Sequence, residues 1–422
     1  MPYAPSRIRT RSYHLIRALG AGGHDVTVGT LWRDAGERGL VDALAGWPGI
    51  RAVIAEPLPA LRSAWNCVRA LPGSEPLQAR FSWSARLAAR LGTAVAGGGF
   101  DVVHVEHLRG VRYGLALADG PGAATGRPAL VWDAVDCISR LFRLTARESE
   151  ARLARIAARF ELGRTERCEG RAASRFDGVV VTSPRDREDL EALMRRQASP
   201  SDPGLHVDVL RNGLDLDYFS PAGDPRDPAT IVVTGKMSYH ANVTAVRWLL
   251  REVMPRVWAV RPDARVQVVG QDPPPDLAAE SGGGSAAAGA GGPRVVVTGT
   301  VDDIRPYLRR ATLAVAPIRY GVGIQNKVLE AFGCATPVVA TPSAVAGLDP
   351  GPDAPALVAG DAEGFARATL ALLDDAAARD RLGRAGRAFV ERAHDWRASA
   401  AALTGLYDAA IARRHAAVHR HA

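Results

Sequence analysis

Ten short runs of β-branched and other apolar residues alternate along this chain with longer stretches rich in Ala, Leu and Arg. Continuous apolar runs of this kind are typical of strands buried on both faces of a parallel sheet. Their alternation with helical stretches indicates βαβ units and therefore the α/β class. The runs cover residues 25–31, 101–107, 129–136, 178–183, 206–210, 230–235, 265–270, 294–299, 313–318 and 336–341.

Ten strands are too many for one typical nucleotide-binding sheet, and the stretch SPAGDPRDPAT at 220–230 reads as a linker. We therefore predict two doubly wound, Rossmann-like domains that face a cleft, over residues 1–222 and 223–395. A helical tail over 396–422 follows, with a return to the N-terminal domain as one option. Within the second domain, the Gly- and Ala-rich segment 271–293 is predicted to be a mobile surface loop.

The start of the chain lacks the strand with which a doubly wound domain usually begins. The loop-like segment PYAPSRIRTR leads directly into a helical stretch at 12–22 and then into the first apolar run. Either the first sheet lacks a strand, or the natural start lies upstream of Met1. The residues leave both alternatives open.

The composition excludes several classes of protein. A hydrophobic content of 47% with 23% charged residues is typical of globular proteins rather than disordered ones. No apolar stretch approaches the roughly 20 residues of a membrane-spanning helix, and no signal peptide is visible. The four cysteines are scattered, which argues against a disulfide framework or a zinc ribbon. We expect a cytoplasmic protein, with a peripheral position at the inner face of the plasma membrane left open.

The net charge of +8 is concentrated in one region, because residues 140–175 contain ten Arg and five Glu. The arginines recur at helical spacing. They form either a solvated helix face or a surface for an anionic membrane or a phosphate-bearing acceptor. No nucleic-acid-binding motif accompanies them, so no nucleic-acid partner is expected.

Lysine occurs only at Lys236 and Lys327, and Lys327 lies in the richest segment of the chain, RYGVGIQNKVLEAFGCATPVVAT at 319–341. A Gly-rich turn precedes a helix that is predicted to begin near Gln325. Such a helix N-terminus presents N–H groups to a phosphate, and Lys327 adds a positive charge. Glu330 is placed to accept hydrogen bonds from a ribose diol. The alternative is a capping loop with a solvated Lys–Glu pair.

The second informative segment, IVVTGKMSYHANVTAVRWLLREVMP at 231–255, combines a strand, a Gly turn and a helix with Asn242 as a plausible N-cap. Gly235 and Lys236 follow the strand, where a diphosphate is bound in many α/β proteins. Neither segment has the spacing of a P-loop or of the G-x-G-x-x-G motif.

Two further groups of polar residues follow predicted strands. His104, Glu106 and His107 form H-V-E-H, which lacks the helical spacing of a zinc motif; on a strand, the first two share one face and His107 points to the other. We therefore expect a polar residue at the cleft rather than a metal site. Asp133 and Asp136 either orient an acceptor hydroxyl or act electrostatically, or they cap the next helix.

These segments give the chain a family resemblance. It resembles the glycosyltransferase family 4 group of GT-B enzymes, and within it a bacterial subgroup that includes exopolysaccharide-type sugar transferases. The motifs extend over about residues 5–345, in the order PSRIRTRSYHLIRALGAGGHDVTV, FDGVVVTSPRDREDL, VDVLRNGLDLDYFSP, VTGKMSYHANVTAVRWL, VTGTVDDIRPYLRRATLAVAPIR and GVGIQNKVLEAFGCATPVVAT.

The resemblance implies two Rossmann-like domains, of which the C-terminal one holds a nucleotide-sugar. By motif, Glu330 corresponds to the residue that holds the ribose, and Lys236 to the base that binds the diphosphate. Asp133 stands where many members carry a His close to the reacting sugar, so it and Lys236 are the predicted catalytic residues. The full set of predicted donor-binding residues is Gly235, Lys236, Val301, Asp302, Gly323, Ile324, Asn326, Lys327 and Glu330. The predicted acceptor or cleft residues are Arg7, Arg9, His104, Asp136 and Asn212.

Besides Asp133 in place of a His, the signature of the family is itself incomplete in this chain. Val322 stands eight residues before Glu330, where the family's E-x7-E signature has its first glutamate. In this chain the Gly turn beside Val322 is expected to present backbone groups to the sugar instead.

The resemblance implies a retaining transfer of a sugar from a nucleotide-diphosphate donor to a hydroxyl group. The acceptor is a glycan, a lipid-linked molecule or a small molecule, in cell-envelope or exopolysaccharide synthesis. No D-x-D motif is presented for a metal, so we expect no cofactor and no obligatory metal. Lys236, Lys327 and the helix near Gln325 are predicted to stabilise the leaving diphosphate. The alternatives are an inactive nucleotide-sugar-binding protein and a nucleotide-sugar epimerase.

Overall fold

The computed structural model describes residues 10–421, apart from 121–125, 150, 198–205, 224, 280–292 and 350–353. The chain forms two compact units, each with parallel strands flanked by helices, which confirms the predicted α/β class. The first unit consists of Met1–Arg143, Ile156–Asn212 and Trp396–Ala422, and the second of Leu144–Arg155 and Gly213–Asp395.

The elements up to residue 209 alternate strands with helices, as the apolar runs predict. Their order is α1 (Thr10–Ala21), β1 (Val26–Trp32), α2 (Ala35–Ala43), β2 (Ile50–Pro57), α3 (Ala60–Ala70), α4 (Leu77–Phe81), α5 (Ala85–Ala96), β3 (Val102–Glu106), α6 (His107–Ala118), β4 (Ala129–Val135), α7 (Ile138–Glu148), α8 (Arg152–Ala173), β5 (Gly178–Val181), α9 (Pro184–Gln197) and β6 (Val207–Val209).

The remaining elements continue the alternation through the second unit and end in one long helix. Their order is β7 (Thr230–Thr234), α10 (His240–Trp248), a π-helical turn (Leu249–Val253), α11 (Met254–Val260), β8 (Arg265–Val269), α12 (Pro275–Ala279), β9 (Val295–Gly299), α13 (Arg305–Arg310), β10 (Leu313–Ala316), α14 (Asn326–Gly333), β11 (Val338–Ala340), α15 (Pro342–Val345), β12 (Leu357–Val358), α16 (Ala362–Asp374), α17 (Ala376–Ala393) and α18 (Trp396–His421).

The first unit contains two separate parallel sheets, β1-β2 and β3-β4-β5-β6. A cavity of about 740 Å³ is lined by both, through Val28 of β1 and Val103 of β3, and also by Leu91 of α5 and Tyr407 of α18. Within the described residues, no strand precedes α1. Strands β1 and β3 are not paired with each other, and residues of both line the cavity.

Helix α18 belongs to the first unit although it is formed by the end of the chain. Its buried residues Leu403 and Ala410 pack with Val131 of β4 and Val180 of β5. At its start, the Trp396 ring stacks on His14 of α1, with centroids 5.1 Å apart. The small and apolar residues of α18 thus cover one face of the four-stranded sheet.

The second unit contains one continuous, parallel, six-stranded sheet in the order β12-β11-β10-β7-β8-β9. Helices cover both faces, and strand residues such as Ile231, Val232 and Leu313 have no exposed surface. The direction of the strand order reverses where β7 lies beside β10. In open α/β sheets, ligands bind at the carboxyl ends of the strands at such a switch point.

The predicted mobile loop at 271–293 is corrected in part. Residues Pro275–Ala279 form the short helix α12, and Arg247 pairs with Asp276 at its start. Residues 280–292 lie outside the described residues. None of the described helices is long and apolar enough to cross a membrane.

Candidate active site

The turn after β7 can be formed only by glycine. Gly235 has φ +151°, and a Cβ there would lie 2.9 Å from the Asn242 Nδ2 atom and 3.2 Å from the Lys327 Nζ atom. A Cβ on Gly270, which follows β8, would lie 1.7 Å from the Gly235 carbonyl oxygen. The missing side chains let the ends of β7 and β8 approach each other and leave Lys236 exposed at the carboxyl edge of the sheet.

Asn242 is not the N-cap of α10, so that prediction is wrong. The helix begins at His240, and its N-cap, Tyr239, makes no side-chain capping bond. The Asn242 side chain instead joins two parts of the site. Its Nδ2 donates to the Lys236 carbonyl oxygen at 2.9 Å, and its Oδ1 accepts from Lys327 Nζ at 2.6 Å.

Helix α14 begins at Asn326, close to the start that the Gly-rich segment predicts, and its N-cap Gln325 makes no side-chain capping bond. Lys327 and Glu330 are half-buried in its first turns. Burial lowers the pKa of Lys327 to about 8, although the charge of Glu330 opposes the change. Burial also raises the pKa of Glu330 to about 7. In the described part of the chain no ion pair joins the two, unlike the solvated pair considered as the alternative.

These residues come together because of the strand order. The turn that contains Gly235 and Lys236 follows β7, the loop before α14 follows β10, and β7 and β10 are neighbours in the sheet. The loop is itself tightly packed: Gly323 has φ +64°, and Ile324 is 9% exposed. A half-buried ammonium, an amide and a glycine turn thus meet at the switch point of the second sheet.

Two of the predicted donor-binding residues, Val301 and Asp302, follow β9, two strands from β7 in the same sheet. Val301 is half-buried and packs against the core cluster that includes Val269 and Val328. Asp302 is exposed. Since the strands are parallel, Val301 and Asp302 lie at the same carboxyl edge as Lys236.

Sequence reasoning did not identify His240 and Tyr320. The His240 Nδ1 atom and the Tyr320 hydroxyl are 2.7 Å apart, and the two rings stack with centroids 5.6 Å apart. Burial lowers the pKa of His240. The signal available was the position of His240 just after the Gly turn, but nothing local indicates a partner 80 residues away.

Three predicted residues of the first unit are brought together by Arg11, which was not predicted. Asp133 is completely buried, and its Oδ2 accepts from Arg11 Nε at 2.7 Å. His104 Nε2 lies 3.6 Å from the same oxygen. Arg11 Nη1 donates to Asn212 Oδ1 at 2.8 Å and to the Leu210 carbonyl oxygen at 3.0 Å. Asp133 is therefore the charge partner of a buried arginine.

One donor of Arg11 has no partner among the described residues. The residue is 5% exposed, and its buried Nη2 atom makes no hydrogen bond within the part of the chain that the structure describes. Buried guanidinium nitrogens are normally satisfied, so a lone one marks a place where a ligand oxygen would fit. The predicted residues Arg7 and Arg9, just before it, lie outside the described residues.

Two residues with positive φ stand at the carboxyl ends of neighbouring strands. His107 has φ +63° and Val135 has φ +67°, which is a strained conformation for a β-branched residue. Strand β3 ends at Glu106, and His107 is the first residue of α6, so its predicted position on the opposite strand face is wrong. Backbone strain of this kind concentrates at functional sites.

The titratable groups of the first unit are shifted by burial. Burial lowers the pKa of both His104 and His107 to about 4, so both are neutral at physiological pH. Burial and the nearby Asp186 raise the pKa of Asp136 to about 7. The start of α7 is capped by Glu169, which accepts from the Ile138 N–H at 2.7 Å. The described residues contain no group of three His, Cys, Asp or Glu side chains placed to hold a metal ion.

One family model and several solved structures match this chain. Residues 228–375 match the family model described as glycosyl transferases group 1. The matched range contains the turn at Gly235 together with Asn242, Lys327 and Glu330. A comparison with curated protein sequences finds no match.

Several solved structures share the fold across almost the whole chain. The sucrose-phosphate synthase of Thermosynechococcus elongatus has a TM-score of 0.65 at 19% identity, over 95% of this chain and 92% of that one. Anabaena HepE in complex with UDP and glucose has a TM-score of 0.61 at 12% identity, over 94% and 95%. A third structure has a TM-score of 0.61 at 11% identity, over 96% of each chain, and is described as "Trehalose-6-phosphate from E. coli bound with UDP-2-fluoro glucose". The predicted GT-B fold is thereby confirmed.

Proposed function

We propose that this protein is a retaining glycosyltransferase of family 4, of the hexosyltransferase type, that moves a sugar from a nucleotide-diphosphate donor to a hydroxyl acceptor. The acceptor is a glycan, a lipid-linked molecule or a small molecule, and the pathway is cell-envelope or exopolysaccharide synthesis in bacteria. UDP-sugars are the first donors to test, because structures with this fold contain UDP and UDP-glucose.

One observation carries the proposal. At the switch point of the second sheet, Lys327 Nζ is held 2.6 Å from Asn242, beside the glycine turn of Gly235 and Lys236 and at the start of α14. This arrangement offers two ammonium groups and a helix N-terminus to a diphosphate. Residues of the matched family range supply all of it.

The proposed chemistry depends on charge stabilisation. As the bond from the anomeric carbon to the donor phosphate breaks, negative charge grows on the nucleoside diphosphate. Lys236, Lys327 and the N-terminal dipole of α14 stabilise that charge without a metal ion. The departing phosphate oxygen accepts the acceptor's hydroxyl proton, and the new bond forms on the same face of the sugar. Glu330 holds the ribose through its two carboxylate oxygens.

On the first unit, the Arg11 network supplies the acceptor-side residues. The Arg11 Nη2 atom, which has no hydrogen-bond partner among the described residues, would bind a hydroxyl or phosphate oxygen of the acceptor. Asp133 fixes the guanidinium in place. The more direct catalytic role predicted for Asp133 stays a prediction, and its contacts favour positioning.

The experiment is a thermal-shift screen of nucleotide-sugars followed by transfer assays. A true donor raises the melting temperature, because it binds only the folded state. Alanine at Lys236 or Lys327 is expected to lower kcat/KM by tenfold or more, and Lys327→Arg is not expected to be silent. The control is Arg384→Ala on the exposed face of α17.

Each other result has a definite meaning. Full turnover in both lysine variants overturns the assigned roles. Binding of a nucleotide-sugar without its consumption indicates an inactive binding protein. The reason to consider this alternative is Val322, which replaces the first glutamate of the family signature. Interconversion of a free donor without an acceptor indicates an epimerase.

A further inference from the structure

Helix α3 turns its apolar side towards solvent. Leu61, Trp65 and Val68 are spaced i, i+4, i+7 and are 85%, 60% and 53% exposed. The opposite side of the same helix, with Ser63 and Ala70, is buried. A surface helix normally buries its apolar face, so this inverted helix presents a surface without its partner.

The first turns of α8 continue this surface. Ile156 and Phe160 are 62% and 45% exposed. The Arg164 guanidinium lies 4.0 Å from the Phe160 ring centroid, and its Nη1 donates to the Ala70 carbonyl oxygen at 3.1 Å. Arg164 therefore ties Phe160 to the C-terminal end of α3. We call the surface formed by Leu61, Trp65, Val68, Ile156 and Phe160 the α3 patch.

Within the two helical segments that form the α3 patch, the charges have one sign. Neither Ala60–Ala70 nor the segment 152–160 contains Asp or Glu. Arg62, Arg69 and Arg159 are exposed between the apolar side chains. By contrast, two α7 arginines within 140–175 are engaged, since Arg140 pairs with Asp189 and Arg143 pairs with Glu166 and Asp189.

We propose that the α3 patch docks the protein on an anionic lipid bilayer. Its aromatic and aliphatic side chains lie at the boundary between headgroups and acyl chains, and its arginines contact lipid phosphates. Tryptophan favours this interface because its ring is amphipathic. A second copy of the chain fits less well, because a symmetric contact would bring Arg62 and Arg69 against the same arginines of the other copy. The proposal keeps the part of the predicted contact at 140–175 that lies in the first turns of α8, and it adds α3.

The test is sedimentation of the full chain with phosphatidylglycerol/phosphatidylcholine vesicles and with phosphatidylcholine vesicles. We expect the partition coefficient to be at least tenfold higher on the anionic vesicles and to fall with added salt. The double variants Leu61→Ser/Trp65→Ser and Arg62→Glu/Arg69→Glu are each expected to lose tenfold or more. Matched controls are Val260→Ser, at a 61% exposed residue, and Arg381→Glu/Arg384→Glu, both in the second unit.

A second measurement distinguishes the loss of membrane contact from the misfolding of a variant. Bromine-labelled lipids should quench part of the tryptophan fluorescence of the natural chain, and Trp65→Phe should remove that part while leaving the melting temperature unchanged. Equal vesicle binding by all variants overturns the proposal. So does a concentration-dependent dimer, seen by light scattering without lipid, that the same variants abolish. The vesicle measurement needs no nucleotide-sugar, so its outcome is independent of the proposed transfer activity.

Discussion

The two units are built from the same alternation of strands and helices, yet their sheets differ. The second unit has six strands in one sheet, and its polar groups gather at the switch point between β7 and β10. The first unit has its strands divided between two sheets that line a cavity of about 740 Å³. It also contains a buried ion pair, since Asp133 has no exposed surface and its partner Arg11 is 5% exposed. The alternation of elements therefore determines the fold class but not the continuity of the sheet.

The largest expected effect tests the buried pair against an exposed one. Asp133→Ala leaves the Arg11 guanidinium buried without its counter-ion, which is expected to cost about 3–5 kcal/mol of unfolding free energy. Asp303→Ala, in the second unit, breaks the partly exposed pair with Arg305 and is expected to cost less than about 1 kcal/mol. Urea denaturation measures both. Equal losses would show that the two units bury charge to the same degree.

A second prediction concerns the pH dependence of donor affinity. We expect this dependence to come from titratable groups of the second unit and not from His104 of the first. A bound diphosphate favours charged Lys327, so donor affinity is expected to fall as pH rises above about 8. Hydrogen bonds from the ribose favour ionised Glu330, so affinity is expected to fall as pH drops below about 7. Isothermal calorimetry should therefore find the maximum between these values, with limbs of up to about tenfold per pH unit.

Three variants sharpen the pH prediction. Glu330→Gln should flatten the acid limb, and Lys327→Arg should remove the alkaline limb, because a guanidinium stays charged. His104→Gln, in the first unit, should leave both limbs in place, because a pKa of about 4 keeps His104 neutral throughout the range. An acid limb that persists in Glu330→Gln would contradict the assignment.

The smallest expected effect addresses the cavity. Ala94→Leu on α5 adds apolar volume to the cavity wall and is expected to stabilise the protein by about 1 kcal/mol. Ala371→Leu, on the exposed side of α16, adds the same atoms without burying them and is the control. Differential scanning calorimetry measures both. A loss of stability in Ala94→Leu would mean that the void is already closely packed.

Much of the fold was predictable, because all ten apolar runs contain a strand. Strand β2 was missed because Arg51 and Glu56 interrupt its apolar residues, and most of it is only half-buried. Strand β12 is two residues long and has no pattern to detect. Local sequence identifies strands by their burial, so strands that are short or partly exposed are overlooked.

The candidate site was predictable where chemistry is local. Gly235 and Lys236 are consecutive, and Lys327 is the second residue of α14, so each of these two segments is recognisable by itself. Asn242 was predicted to be an N-cap because asparagine is common at that position. Its side chain instead accepts a hydrogen bond from Lys327, a residue 85 positions away in the sequence. Arg11 was overlooked because its role depends on hydrogen bonds to Asp133 and Asn212, which are more than 100 residues away in the sequence. Contacts between residues so far apart in the sequence produce no periodic pattern in it.

The placement of α18 has a consequence for how the protein is made. The first unit needs Trp396 against α1 and Leu403 against the four-stranded sheet, and the Arg413 Nε donates to the Asp177 carbonyl oxygen. The covered face of the four-stranded sheet is completed only by residues 396–421, which are made after the whole of the second unit. The half that is synthesised first therefore cannot complete its fold until the half that follows it has been made, and its apolar strands are open to aggregation for longer.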